Sequence, residues 1–139
     1  MPGNAVPIFS KSANVSWNTT ALTAANTAKD GTGIVTTIWT ADATNGGYLD
    51  KIRIRPLGSN VATVMRFFVN NGLTNAIAAN NSLGLDEVGL AATNLSEVAA
   101  IAGAVLPVNQ VFPLGYKINA VIGTAVAAGF AVTAFGGNY

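Results

Sequence analysis

Cysteine and histidine are both absent from this chain of 139 residues. Without cysteine there is no disulfide framework, no thiolate nucleophile and no thiolate metal site, and the redox state of the compartment leaves no trace. Without histidine the commonest general base in enzymes is missing as well. Charge is scarce too, at 9% of residues against about a quarter in ordinary soluble domains. Seven basic and six acidic side chains leave a net charge of +1, so no global field gathers nucleic acid or an anionic membrane. The opening residues Met1 to Phe9 carry neither the basic cluster nor the long apolar core of a secretory signal, and export by that route is not expected.

What the chain does have is apolar residues, half of the total, in a length that suits one domain with a real core. The surface must then be covered by Asn, Thr, Ser and Gly, or by other protein. Residues 1–14 read as an extended arm and 15–139 as a single β domain, with an early strand at Asn14 to Asn18. Ile34 to Thr40 is dense in β-branched and aromatic residues and leads into the turn signal Asn45-Gly46-Gly47. Tyr48 to Pro56 alternates with period two, which points Ile52 and Ile54 inward and Lys51, Arg53 and Arg55 outward. Gly58-Ser59-Asn60 reads as a turn into a further strand from Val61 to Val69, so these two strands are expected to pair as an antiparallel hairpin.

Beyond an Asn-rich stretch from Thr74 to Ser82, apolar segments recur at Leu83 to Ala91, Val105 to Phe112, Tyr116 to Ile122 and Phe130 to Phe135. About eight short strands with turn residues between them predict an all-β fold, an antiparallel β-sandwich or jelly-roll-like barrel. Jelly-roll and immunoglobulin-like strand orders both remain open. Ser96 to Gly103 alone has helical composition, enough for one or two turns. The apolar run from Ile118 to Phe135 is long enough to imitate a membrane span, but it is built of Ala and Val and interrupted by Asn119, Gly123, Thr124 and Gly129. Two strands buried on both faces account for the same letters.

Candidate sites are few. The loop from Asp42 to Asp50 is rich in oxygen ligands but lacks the alternating acids and terminal Glu of a calcium loop, and reads as a turn. Asp86, Glu87 and Glu97 are the only acids after Asp50, too few to suggest paired catalytic carboxylates. Gly31-Thr32-Gly33 precedes a strand and lacks the lysine of a phosphate loop. The Asn-X-Ser/Thr matches at Asn14, Asn18, Asn80 and Asn94 are what so much Asn, Ser and Thr gives by chance. Trp17, Trp39, Tyr48 and Tyr139 offer a sugar-stacking platform, or core and interface anchors. Arg53, Arg55 and Arg66, with Lys51, would share one outer face if the hairpin forms, as a solvated surface or as a docking surface for an acidic partner.

Three segments, YLDKIRIRPLGSNVATVMRFFVNNG from Tyr48, LDEVGLA from Leu85 and PLGYKINAVIGTAVAAGFAVTAFGGNY from Pro113, give the last ninety or so residues a texture that resembles small structural proteins of tailed-bacteriophage virions. Within that group the resemblance is to head decoration, or cement, proteins. It implies a compact antiparallel β domain on the outside of a capsid, a trimer at local threefold positions, with the major capsid protein as partner. Apart from the resemblance, the missing Cys and His, the near-zero net charge, the scarcity of clustered polar groups and the composition of the C-terminal run lead us to expect no enzyme activity, cofactor, metal, nucleic acid, membrane or small-molecule substrate. No family motif assigns contact residues, so the candidates come from pattern: Pro2, Pro7 and Phe9 on the uncharged arm, and Arg53, Arg55 and Arg66 on the basic strands. A tail, fibre or adaptor component is the alternative within virions. A carbohydrate-binding module relying on Trp17 or Trp39 is the alternative outside them.

Overall fold

The computed structural model describes residues 10–73 and 81–139. Eight strands form two four-stranded antiparallel sheets, as the period-two and apolar segments predict: β1 (Ser12–Trp17), β2 (Thr36–Thr40), β3 (Gly47–Pro56), β4 (Thr63–Asn70), β5 (Ser82–Leu90), β6 (Ala104–Phe112), β7 (Lys117–Ile122) and β8 (Phe130–Asn138). Sheet A runs β1-β8-β3-β6 and sheet B runs β2-β7-β4-β5. The pairs β1·β8, β2·β7, β3·β6 and β4·β5 are those of one long hairpin rolled up on itself, which is the strand order of a jelly roll. β1 begins at Ser12, inside the stretch read as arm, while Met1 to Phe9 lie outside the described residues.

The core lies between the sheets. Leu49, Ile52 and Ile54 of β3 face Met65 and Phe67 of β4, with Ile118 and Ile122 of β7 and Phe130 and Val132 of β8 beside them, all of them fully buried. Each such side chain contributes roughly 1.5–3 kcal/mol of transfer free energy, so the four central strands hold the domain. The run from Ile118 to Phe135 is two strands, β7 and β8, and no helix of the described residues is long and apolar enough to cross a membrane.

Two expectations are corrected. β3 and β4 do not form a hairpin, because they lie in opposite sheets. Gly58-Ser59-Asn60 does turn the chain, but Asn60 is buried and bridges to Thr93, while Leu57 donates its N–H to the Gly129 carbonyl. The connection is thus an arch from one sheet to the other. Nor does Ser96 to Gly103 form a helix. Ser96 Oγ accepts the Val98 N–H at 3.2 Å, but the chain continues in bends with Val98 fully exposed. Two turns without an apolar stripe to bury cannot offset the cost of helix nucleation.

The two lateral seams of the sandwich differ. At the β1/β2 seam, polar side chains stitch the sheets: Asn14 Nδ2 donates to the Thr40 carbonyl at 2.9 Å and Ser16 Oγ to the Ile38 carbonyl at 2.5 Å. At the β5/β6 seam, Leu85, Val88 and Leu90 face Ala104, Leu106 and Val108, packed against the core yet only half-buried. The outer faces differ as well. Residues 18–35 cross over sheet B, where Asn26 donates its N–H to the Ile122 carbonyl. Gly31, at φ +83°, lies so close to sheet B that an added Cβ would strike Ser82 Cβ at 2.6 Å and the buried Phe68 ring at 3.3 Å. No corresponding segment of the described residues crosses sheet A.

Candidate docking surface

The alternation that buries Ile52 and Ile54 turns Lys51, Arg53 and Arg55 to the exposed outer face of sheet A. Register fixes their neighbours. Across the sheet, Trp17, Thr133, Arg53 and Val105 form one row, and Val15, Phe135, Lys51 and Pro107 form the next. Trp17 is 61% exposed, and Val15, Val105 and Val111 are exposed beside it. Lys51 Nζ sits 5.7 Å from the centre of the Phe135 ring, a cation–π distance. The face therefore sets a line of cations on a central strand between apolar groups on both flanks. Asp50, extruded at the β3 bulge, borders an open groove of about 470 Å³ that runs from Tyr48 to Val15 on this same face.

No carboxylate lies within ion-pair distance of Lys51, Arg53 or Arg55 among the described residues. The one ion pair there joins Arg66 Nε to Glu87 Oε2 at 2.8 Å. This corrects the expected basic cluster. Arg66 stands on β4, on the other sheet, already neutralised across the β4/β5 pair and only 17% exposed against 58% for Glu87. Arg53 and Arg55 stay together and Arg66 leaves them, because the arch at Asn60 replaces the hairpin turn. Pro2, Pro7 and Phe9 lie outside the described residues.

The aromatic platform divides in the same way. Trp17 and Tyr48 share the outer face of sheet A, with the Tyr48 hydroxyl donating to Asn109 Oδ1 at 2.9 Å. Trp39 is in the core, 1% exposed and edge-on to Phe112 with ring centres 5.8 Å apart. Sequence reading missed Val15, Phe135, Val105 and Val111 as members of the face. The available signal was their period-two spacing in β1, β8 and β6, unreadable until the strand order placed those strands beside β3.

The remaining candidates are structural. Asp42 Oδ2 accepts the backbone N–H groups of Asn45 and Thr44, each at 2.9 Å, and these bonds hold its carboxyl below the usual aspartate range. Asp30 is lowered likewise, first by the Thr32 hydroxyl and then by the Thr32 N–H. Asp86 and Glu87 sit on edge strand β5, where Asp86 Oδ1 accepts the Glu87 N–H. No group of three or more acidic side chains among the described residues could hold a metal ion. The outer face of sheet A offers recognition by charge and apolar contact. In comparison with known proteins, the chain matches no family model, no curated protein and no solved structure.

Proposed function

We propose that this protein is a structural component of a tailed-phage virion, a decoration (cement) protein that docks on the outside of the capsid through the outer face of sheet A and bridges neighbouring capsomers. The observation that carries the reading is the line of Lys51, Arg53 and Arg55, exposed and without carboxylate partners, between Trp17 and Val15 on one side and Val105 on the other. Tryptophan and arginine flanked by apolar groups are the residue types that anchor protein interfaces, and the cations select an acidic partner. The jelly-roll order adds little, since shells, lectins and enzymes all use it.

Size decides how such a face works. Four strands about 4.8 Å apart and roughly 25 Å long present only about 500 Å², below the ~800 Å² per partner of a stable standard interface. One copy therefore binds weakly, and an oligomer on a repeating lattice binds firmly through avidity. Function is then mechanical: copies seated across capsomer seams add contacts that internal pressure must break before the shell opens.

The test is co-sedimentation with DNA-filled heads, empty heads and isolated tails of the virion that carries the protein. Saturable binding to heads, lost in the R53E/R55E variant, is the expected result. Binding to tails alone moves the assignment to a tail or adaptor component, and binding to neither overturns the virion reading.

A further inference from the structure

The connection from β5 to β6 is apolar and exposed, yet hydrogen bonds hold its backbone. Thr93 exchanges backbone hydrogen bonds with Asn60 in both directions and donates its hydroxyl to the Gly58 carbonyl at 2.8 Å, and the Leu95 N–H donates to Ser59 Oγ at 2.8 Å. The connection is thus fastened to the buried Asn60 arch. It then bends at residues 97–99, where Ser96 Oγ accepts the Val98 N–H. Leu57 is 48% exposed, Leu95 65% and Val98 96%. Exposed apolar groups gathered on a backbone that is already held mark a contact surface, because a partner does not bear the cost of ordering it.

Two neighbouring features of this surface complement each other. One is a hollow of about 310 Å³ whose lining includes Arg55, Leu57, Leu95, Ser96, Ala99 and Ile101. Among the described residues Arg55 is the only charged group in that lining. The other is the bend itself, where Glu97 and Val98 stand between Ser96 and Ala99 and so border the hollow. Fully exposed, Val98 fills no hollow of its own chain. Arg55 and Glu97 are exposed too, and neither joins an ion pair among the described residues.

The hollow therefore offers apolar walls and a cation, and the bend beside it offers an apolar projection and a carboxylate. A projection and a hollow that match, side by side on one surface, are what a two-fold contact requires, since each copy gives the one and receives the other. The charges select the same occupant. The cations on sheet A call for an acidic partner, whereas this surface carries one charge of each sign and is complementary to itself. We infer that the surface formed by the bend at 97–99 and the hollow beside it is a two-fold interface with a second copy of the chain, in which Val98 of each copy enters the partner's hollow and Glu97 pairs with the partner's Arg55. Such a dimer puts two sheet A faces on one particle, which strengthens binding to any repeating lattice through avidity.

The test is the solution mass of the protein alone by sedimentation velocity. One loop and one hollow make a small interface, so the mass is read at about 100 µM. Twice the 14.1 kDa of one chain is expected. E97R and R55E should each be monomeric, because each sets like charges together twice in a dimer. An equimolar mixture of the two should return to the dimer mass, since both contacts between positions 97 and 55 then join opposite charges. R53E, the same change of charge two positions along β3, should stay dimeric. A monomeric parent, a trimer, or a mixture of E97R and R55E that stays monomeric overturns the inference. So does loss of the dimer in R53E, which would move the interface to the face of sheet A. No heads are present in these measurements, so head docking can fail while the dimer stands.

Discussion

The side-chain amide of Asn60 closes the β7–β8 turn around Gly129. Its Nδ2 donates to the Gly129 carbonyl and its Oδ1 accepts the N–H groups of Ala128 and Gly129, all at 2.9 Å. Asn60 thereby fixes both the arch from β3 to β4 and the turn that separates the two apolar halves of the C-terminal run. Removing the amide strands buried backbone groups at about 1–3 kcal/mol each. N60A is expected to lose about 3 kcal/mol in urea unfolding; a loss below about 1 kcal/mol would mean that water takes over the three bonds.

The two tryptophans report separate regions. W17F is expected to leave a blue-shifted emission resistant to acrylamide, from buried Trp39, and W39F a red-shifted, quenchable one. Equal quenching of both variants would contradict the burial.

Trp39 Nε1 is buried without a hydrogen-bond acceptor among the described residues. Replacing Trp39 with Phe relieves that polar cost, about 1–3 kcal/mol, and opens a gap of similar cost. W39F should therefore fall within about 1.5 kcal/mol of the parent, whereas F67A, which only empties the core, should lose about 3–5 kcal/mol. Equal losses in thermal or urea unfolding would show that the unpaired N–H carries no penalty.

Arginine substitutions separate docking from stability. R53A and R55A should change stability by less than about 0.5 kcal/mol, as exposed positions without partners do, while weakening head binding and its salt dependence. R66A should lose up to about 1 kcal/mol with the Glu87 ion pair and leave head binding intact. The reverse pattern would place the docking face on sheet B.

The pH dependence follows from Asp30 and Asp42. Both carboxyls are lowered by hydrogen bonds to the ionised form, so their stabilisation is fully present above the unfolded-state aspartate pKa and is lost as pH falls through the lowered folded values. With no histidine in the chain, no side chain has an ordinary pKa between about 5 and 8. Unfolding free energy should be nearly flat across that range and decline only in acid, and carbon-detected titration should place both midpoints below the ordinary aspartate value.

Strand positions were largely legible because period two and turn residues are local properties, as Lys51 to Arg55 shows. Partnership was not. Gly58-Ser59-Asn60 announces a change of direction, but a hairpin and an arch use the same residues, and only the seat of the Asn60 amide on Gly129 distinguishes them. By composition alone the asparagines read as surface and turn residues. Asn18, Asn26 and Asn60 are in fact buried and stand in for backbone: Asn18 donates to the Phe130 carbonyl and accepts the Val132 N–H, prolonging β1 along β8, and Asn26 donates to the Thr32 and Ile34 carbonyls. Composition reports such residues without saying which side of the surface they occupy. The docking face was half legible for the same reason, since Arg53 and Arg55 belong to one strand and their apolar neighbours to three others.

The rolled-hairpin order also governs when the protein becomes a protein. Asn14 meets Asn138 across 124 positions of sequence, and β8 is the strand that joins β1 to β3. On the ribosome, β4 with β5 and then β3 with β6 have partners early, while β1 waits for the last strand to emerge. Until then the inner faces of β3 and β4 lack their covering from β7 and β8. Non-local pairing of this kind folds slowly and exposes apolar surface meanwhile, so the yield of active protein should depend on translation speed and chaperone supply more than on the stability of the finished sandwich.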